Sequence, residues 1–216
     1  GLVRSLENVN LTKLEDLGIS KNVRLVEISL VSAEDIEKVI NTYHPKYIFN
    51  FASQSSVGYS YEIPFETLHF NVNSTLAILE AIRKTDITIR LIHASSSEVF
   101  GHPKNIICDE LSEVNPENPY ANSKAISHAL INTYRDLYGL NVSIAIFFNH
   151  ESIYRDERFV VKKLIHGLIR AKKGLQSDVQ IGDQTISRDF GCAIEYMDAI
   201  YKMALLKESD NFIISS

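Results

Sequence analysis

The sequence predicts an α/β fold, a doubly wound parallel sheet with helices on both faces. Two observations carry this. Short apolar runs alternate with helix-length segments whose apolar residues recur every three or four positions, from one end of the 216 residues to the other. That order builds strand–helix–strand units. In addition, small polar stretches (Ala52-Ser-Gln-Ser-Ser56, Ser95-Ser-Ser-Glu98 and Asn149-His-Glu151) follow apolar runs directly. They fall at the carboxyl ends of the expected strands, where such sheets place their ligand crevices.

Taken in order, residues 23–28 read as a strand. Residues 33–43 read as a helix with Ser32 as its N-cap, because a Ser hydroxyl can accept from an otherwise orphaned N–H of the first turn. Residues 47–51 form a buried strand. Pro64 opens a long helix whose apolar face is Phe65, Leu68, Val72, Leu76, Leu79 and Ile82. Residues 89–94 give the next strand, and a loop with Pro103, Pro116 and Pro119 leads into a helix containing Tyr120 and Lys124. Strands are expected at 142–148, 179–181 and 212–214, and helices at 159–173 and 192–207. No Gly pair has the G-x-x-G-x-x-G spacing that cradles a pyrophosphate at a helix N-terminus. The sequence therefore predicts a chain that starts after the first βα unit of a dinucleotide fold.

Composition narrows the partners. A net charge of −5 and no basic stripe argue against nucleic acid and anionic membranes. No apolar run approaches a membrane span. Cys108 and Cys192 suit a reduced, cytoplasmic protein, and neither has a second Cys or His at metal-ligand spacing, so no metal site is expected.

The chemistry centres on Tyr120-Ala-Asn-Ser-Lys124. Residues four apart share a helix face, so an ammonium can stabilise the tyrosinate. Bringing a phenol from its ordinary pKa of about 10 to neutrality takes roughly 4 kcal/mol of such preference. With ten Tyr in the chain, chance supplies about one such spacing; the surroundings decide. Upstream, the Ser96 hydroxyl can share a substrate proton with a phenolate, and the Glu98 carboxylate projects from the same loop as a second acid or base. A Ser cluster after a strand also serves simply to satisfy loop backbone groups.

Ala94-Ser-Ser-Ser-Glu-Val-Phe-Gly101 followed by Asn118-Pro-Tyr-Ala-Asn-Ser-Lys124 resembles the extended short-chain dehydrogenase/reductase superfamily. Phe148-Asn-His-Glu-Ser152 narrows the resemblance to its GDP-mannose 4,6-dehydratase family. Asn50-Phe-Ala-Ser-Gln-Ser-Ser-Val57, Thr75-Leu-Ala-Ile-Leu-Glu-Ala-Ile-Arg83, Ile181-Gly-Asp and Ser187-Arg-Asp-Phe-Gly191 agree. The resemblance implies a truncated Rossmann-like NADP-binding domain over 1–150. Over 151–216 it implies part of a substrate-binding region, interleaved with the last strands of the sheet. It implies an internal redox elimination on GDP-mannose or a related GDP-sugar, with NADP, or NAD, as cofactor. Tyr120 takes the proton of the sugar 4-hydroxyl, Lys124 lowers the tyrosine pKa, Ser96 shares the proton and Glu98 removes the C5 proton as water leaves C6. Arg4, Ala52, Gln54, Tyr120, Lys124 and His150 are implied cofactor contacts; Ser55, Asn149, Arg155, Lys163 and Arg188 are implied substrate contacts. The helices 65–83 and 120–138 are those that relatives pair between subunits, which implies a homodimer or homotetramer.

The chain departs from the family pattern at several positions. Ser29 stands where the family has the Asp that binds adenine, and its basic loop is reduced to Arg4 with Ser5. Tyr154 replaces one of two adjacent Arg, and Phe190 and Cys192 replace Trp and His. Two further readings stay open from the residues alone: another nucleotide-sugar epimerase, decarboxylase or reductase, and a non-catalytic domain that binds nucleotide or a partner protein.

Overall fold

The computed structural model describes residues 1–102, 107–182 and 185–216. Pro103 of the expected proline loop and Asp183 of the Ile181-Gly-Asp stretch lie outside them. In chain order the elements are β1 (Leu2–Val3), α1 (Thr12–Asp16), β2 (Val26–Glu27), α2 (Ala33–Tyr43), β3 (Tyr47–Asn50), α3 (Val57–Glu62), α4 (Pro64–Thr85) and β4 (Arg90–Ala94). They continue with α5 (Pro119–Tyr138), β5 (Val142–Phe147), β6 (Asn149–Glu151), α6 (Val160–Lys172), β7 (Phe190–Cys192), α7 (Ala193–Leu205) and β8 (Asn211–Ile214).

Local chemistry sets the helix ends. The Ser32 hydroxyl accepts from Asp35 N at 3.2 Å and starts α2. Pro64 begins α4, where a missing N–H costs nothing. Asn118 caps α5 by accepting from Ala121 N at 2.8 Å, with Pro119 in the first turn. Gly139 ends α5 in the left-handed region, at φ 66°, where a side chain would be strained.

The main sheet has the order β3-β4-β5-β8, all parallel, with Asn50 opposite His93, Ala94 opposite Ala145 and Ile144 opposite Asn211. All six residues of β5 are buried, as expected of a parallel strand covered on both faces. Its alternate residues serve two cores. Val142, Ile144 and Ile146 pack with Ile36 and Ile40 of α2, Leu79 and Ile82 of α4, and Ile131 of α5. Ala145 and Phe147 pack with Tyr196, Ile200 and Met203 of α7. Each fully buried Leu or Ile here contributes roughly 1.5–3 kcal/mol. This is the three-layer α/β architecture that the alternation of elements predicts.

Two small parallel pairs flank the sheet: β1 with β2, and β6 with β7. Beside the free edge of β3 lies a groove of about 940 Å³, lined by Leu2, Val26, Ile36, Ile40, Tyr47 and Phe49 among others. The structure corrects several boundaries. Of residues 23–28 only Val26–Glu27 form a ladder, because β1 offers just two residues to pair with. Residues 179–181 form no strand; Val179 instead lies against α6 where Gly167 has no Cβ to exclude it. Helix α3 was not predicted, although Ser56 announces it by accepting from Tyr59 N at 3.2 Å. The β6–β7 pair was not predicted either. It closes tightly, since a Cβ at Gly191 would collide with the Tyr196 ring.

At the amino end of the sheet Arg90 is 3% exposed. Its guanidinium donates to Asn141 Oδ1, to Ser143 Oγ at 3.2 Å, and to the carbonyls of Met203 and Glu208 at 3.1 and 2.7 Å. One side chain therefore ties β4, β5 and the end of α7 together. Replacing it leaves several buried acceptors unpaired, each a loss of about 1–3 kcal/mol before relaxation. Arg90→Leu is expected to lower unfolding stability by about 3 kcal/mol in a urea titration; a change below about 1 kcal/mol would contradict this anchoring role.

Candidate active site

The site forms where β4 ends. The hydroxyl of Ser96 accepts from Glu98 N at 3.3 Å and starts a short 3-10 turn over Ser97–Phe100. Gly101 closes that turn at φ 58°, and a Cβ there would collide with the Asn115 carbonyl. This turn presents Ser96 and Glu98 toward the start of α5, where Tyr120 lies in the first turn and Lys124 one turn later. Asn118 joins the two segments. Its oxygen caps α5 while its Nδ2 donates to Glu98 Oε2 at 3.0 Å, so the cap also orients the carboxylate.

Tyr120 and Lys124 are both buried, at 7% and 4% exposure. Lys124 Nζ donates to the Ala94 carbonyl at 2.9 Å and lies 5.7 Å from the centre of the Tyr120 ring. Burial drives the Tyr120 phenol up to about 12. The nearby Ser96 hydroxyl and the Arg155 guanidinium oppose that rise, and the Glu98 carboxylate adds to it. Burial likewise brings the Lys124 ammonium down to about 8. A buried ammonium needs an acceptor, and the strand-end carbonyl of Ala94 supplies it. The phenol stays protonated.

A cavity of about 460 Å³ brings together Ser55, Ser96, Glu98, Tyr120, Lys124, Asn149, His150 and Arg155. A larger crevice of about 920 Å³ adjoins it, lined by Arg4, Ala52, Gln54 and Ser55; both share Ser53, Ser55 and Arg158. Asn149 and His150 reach the cavity from β6. His150 donates through Nδ1 to the Phe148 carbonyl at 3.1 Å, which leaves Nε2 as an acceptor, and burial lowers its pKa. Arg155 stacks on Phe159, with its guanidinium carbon 3.6 Å from the ring centre, and lies 3.8 Å from Glu151. Lys163 is exposed on α6 and Arg188 is exposed before β7, where it donates to its neighbour's carbonyl at 3.0 Å. Neither lines the two cavities.

The loop 52–56 is held from below. Asn71 accepts from Gln54 N at 2.8 Å and donates to Gln54 O at 3.1 Å and to Ser123 Oγ at 2.9 Å. The Gln54 amide donates to Thr67 and to the Ser56 carbonyl. Although Gln54 lines the crevice, its side chain therefore also braces the loop. Sequence reasoning assigned no role to Asn118, Asn71 or Arg158. Asn118 carried a legible signal, a capping residue just before a Pro at a helix start. Arg158 carried none, because nothing in its spacing marks a crevice residue.

Comparison with known proteins gives a consistent picture. Residues 1–216 match the sequence model of the family described as GDP-mannose 4,6 dehydratase. The chain is 33% identical to GDP-mannose 4,6 dehydratase 2 of Arabidopsis thaliana, over all of this chain and 60% of that protein. It is 30% identical to a GDP-mannose 4,6-dehydratase of Vibrio cholerae, over 87% of this chain and 51% of that one. The chain thus spans about 60% or less of these relatives. Among solved structures, RMD from Pseudomonas aeruginosa, complexed with NADPH, superposes with a TM-score of 0.83 at 23% identity. The match covers 100% of this chain and 77% of that one. The dTDP-glucose 4,6-dehydratase DesIV of Streptomyces venezuelae, with NAD and TYD bound, superposes with a TM-score of 0.85 at 22% identity, covering 99% and 64%. At these identities the structures show the fold.

Behind Lys124, His128 is hydrogen-bonded through Nε2 to Ser95 Oγ, and burial first, then the Lys124 charge, brings it down to about 4. The unfolded chain takes up this proton near pH 6.5 and the folded chain only near pH 4. Stability is therefore lost as pH falls through that window, by about 3 kcal/mol for this group alone. In urea titrations at pH 6.5 and 4, His128→Gln is expected to remove about that much of the acid loss. An unchanged acid slope would show that His128 is not held neutral.

Proposed function

We propose, from the premise that the chain belongs to the GDP-mannose 4,6-dehydratase family, that its site carries out oxidation and elimination on a GDP-sugar such as GDP-mannose. One observation carries the reading. Glu98, held by Asn118, lines the same cavity as Ser96, Tyr120 and Lys124. Simple alcohol oxidation needs one proton-moving group; loss of water from the neighbouring carbon needs a second.

The crevice beside that cavity fits a dinucleotide of the NADP or NAD class. It has the volume for one, and Arg4, Ser53 and Ser55 offer a cation and hydroxyls suited to phosphates, with Lys124 in the adjoining cavity. Arg4, Ala52, Gln54, Tyr120, Lys124 and His150 are the residues proposed to hold it. NADP bound there would supply the reversible hydride acceptor that the reaction requires.

The chain's own residues do the rest. Tyr120 receives the proton of the sugar 4-hydroxyl, and the Ser96 hydroxyl, placed beside the phenol, shares it. The resulting 4-ketone acidifies C5, so a carboxylate can remove that proton; Glu98 lines the cavity and serves as that base. Departure of the C6 hydroxyl as water leaves a 4-keto-5,6-ene. Delivery to C6 of the hydride taken from C4, and return of a proton to C5 from Glu98, then give the 4-keto-6-deoxy sugar. Ser55, Asn149 and Arg155 contact the sugar nucleotide from the cavity wall. Lys163 and Arg188 join as diphosphate contacts on the strength of the resemblance alone. The proposal extends to pairing of two copies through α4 and α5, supported by Phe65 and Leu137, which are 73% and 71% exposed on those helices. Sedimentation reads this directly, and a monomer contradicts it.

Incubation with GDP-mannose and NADP is expected to yield a 4-keto-6-deoxy product. Tyr120→Phe should lower turnover by about 10²–10⁴-fold. Glu98→Gln should block water loss by a similar factor while still allowing oxidation at C4, seen as loss of C5 deuterium exchange with solvent. Unchanged sugar contradicts the dehydratase reading, and a product epimerised at C4 assigns the site to the sister chemistry.

A further inference from the structure

Behind the loop 52–56, at the junction of β3 and β4, lies a buried pair that the reaction does not use. His93 is 1% exposed and Asn50 4% exposed. They sit opposite each other in the β3–β4 register, so their side chains share a face of the sheet. Asn50 Nδ2 is 3.1 Å from His93 Nδ1, and Asn50 Oδ1 accepts from Ala52 N at 3.2 Å.

The Ala52 N–H can only donate, so the atom it meets on Asn50 must be the amide oxygen. The amide nitrogen therefore faces His93 and donates to Nδ1, which must be unprotonated. A neutral ring then carries its proton on Nε2, the nitrogen that has no partner among the described residues. Protonating Nδ1 would set an N–H against the amide NH₂. That would turn the Asn50 side chain and cost Ala52 its acceptor. Burial opposes a charge on this ring most strongly, and the Lys124 ammonium on α5 adds to it.

We propose that His93 is a positioning residue, fixed as the Nε2–H tautomer. Through Asn50 it holds the entrance of the loop 52–56 and with it the affinity of the crevice for an anionic nucleotide. The ligand half of this statement rests on the function proposed above; the tautomer and the loop contact do not. Ala52 and Gln54 line the crevice. Asn71, itself anchored on Ser123, holds the middle of the loop, whereas its first residue depends on Asn50. His93 thus bears on the crevice loop through Asn50 and lines neither cavity itself.

The test uses the whole chain. In ¹⁵N NMR at pH 7.5, His93 is expected to show the Nε2–H tautomer; an Nδ1–H tautomer overturns the proposal. Two variants of similar bulk separate hydrogen bonding from packing. His93→Gln keeps an oxygen that can accept from Asn50, and His93→Met does not. Hydrogen exchange at the Ala52 amide should speed up at least about tenfold in His93→Met and stay within about threefold of the native rate in His93→Gln. Equal exchange in both variants overturns the link. In NADP titrations His93→Met should weaken binding about tenfold, with rescue by His93→Gln. Unchanged binding alongside altered exchange overturns the affinity half. A chain with the expected tautomer and exchange but no NADP binding supports the positioning role and overturns the cofactor reading instead.

Discussion

Much of this site follows from burying an ammonium. Lys124 sits in the second turn of α5 with 4% exposure, and a charge so placed must find a hydrogen-bond acceptor. It finds the Ala94 carbonyl at the carboxyl end of β4. That bond ties the helix carrying Tyr120 to the strand carrying Ser96 and Glu98. It also sets α5 at the height where Asn118 can cap the helix and hold the carboxylate at once. The same burial fixes the electrostatics, with the phenol driven up and the ammonium down.

The outcome is a site in which burial pushes Tyr120 and the neighbouring histidines toward their uncharged forms around the Lys124 ammonium. Tyr120 keeps its proton, His93 and His128 stay uncharged beside Lys124, and His150 is lowered by burial as well. The mobile protons are thus held by groups that change state only when their surroundings change. Ligand binding changes them in two ways: it displaces water from the 460 Å³ cavity, and it alters the charge beside the phenol. The lowering of the tyrosine by Lys124, which the resemblance implies, is proposed for the liganded site. In the free chain its ammonium serves the Ala94 carbonyl.

The sequence was most informative where one residue type has one physical use. Ser32 and Pro64 start their helices as read, and the alternation of apolar runs gave the parallel sheet with helices on both faces. The clustering of Ser96, Glu98, Tyr120, Lys124, Asn149, His150 and Arg155 around one cavity follows from the rule that such sheets gather polar loops at strand ends. Three features stayed hidden because they depend on tertiary contact. The β6–β7 pair needs residues about forty apart to meet and a glycine to admit the Tyr196 ring. The failed strand at 179–181 has an apolar pattern but finds a helix surface in place of a partner strand. The Asn50–His93 pair is visible only once the register of two strands is known. Lys163 and Arg188, read from the resemblance, lie outside the cavities, and no local pattern distinguishes them from solvated surface charge.

The resting state of Tyr120 is what burial of this site determines most directly. With tyrosine ring carbons labelled by ¹³C, the Tyr120 resonance of the ligand-free chain can be followed against pH. It should remain in the phenol form through pH 10 and titrate near 12, the value that burial produces. A Tyr120 that ionises near neutrality in the absence of ligand would contradict this picture and return to Lys124 the role of a preset activating charge.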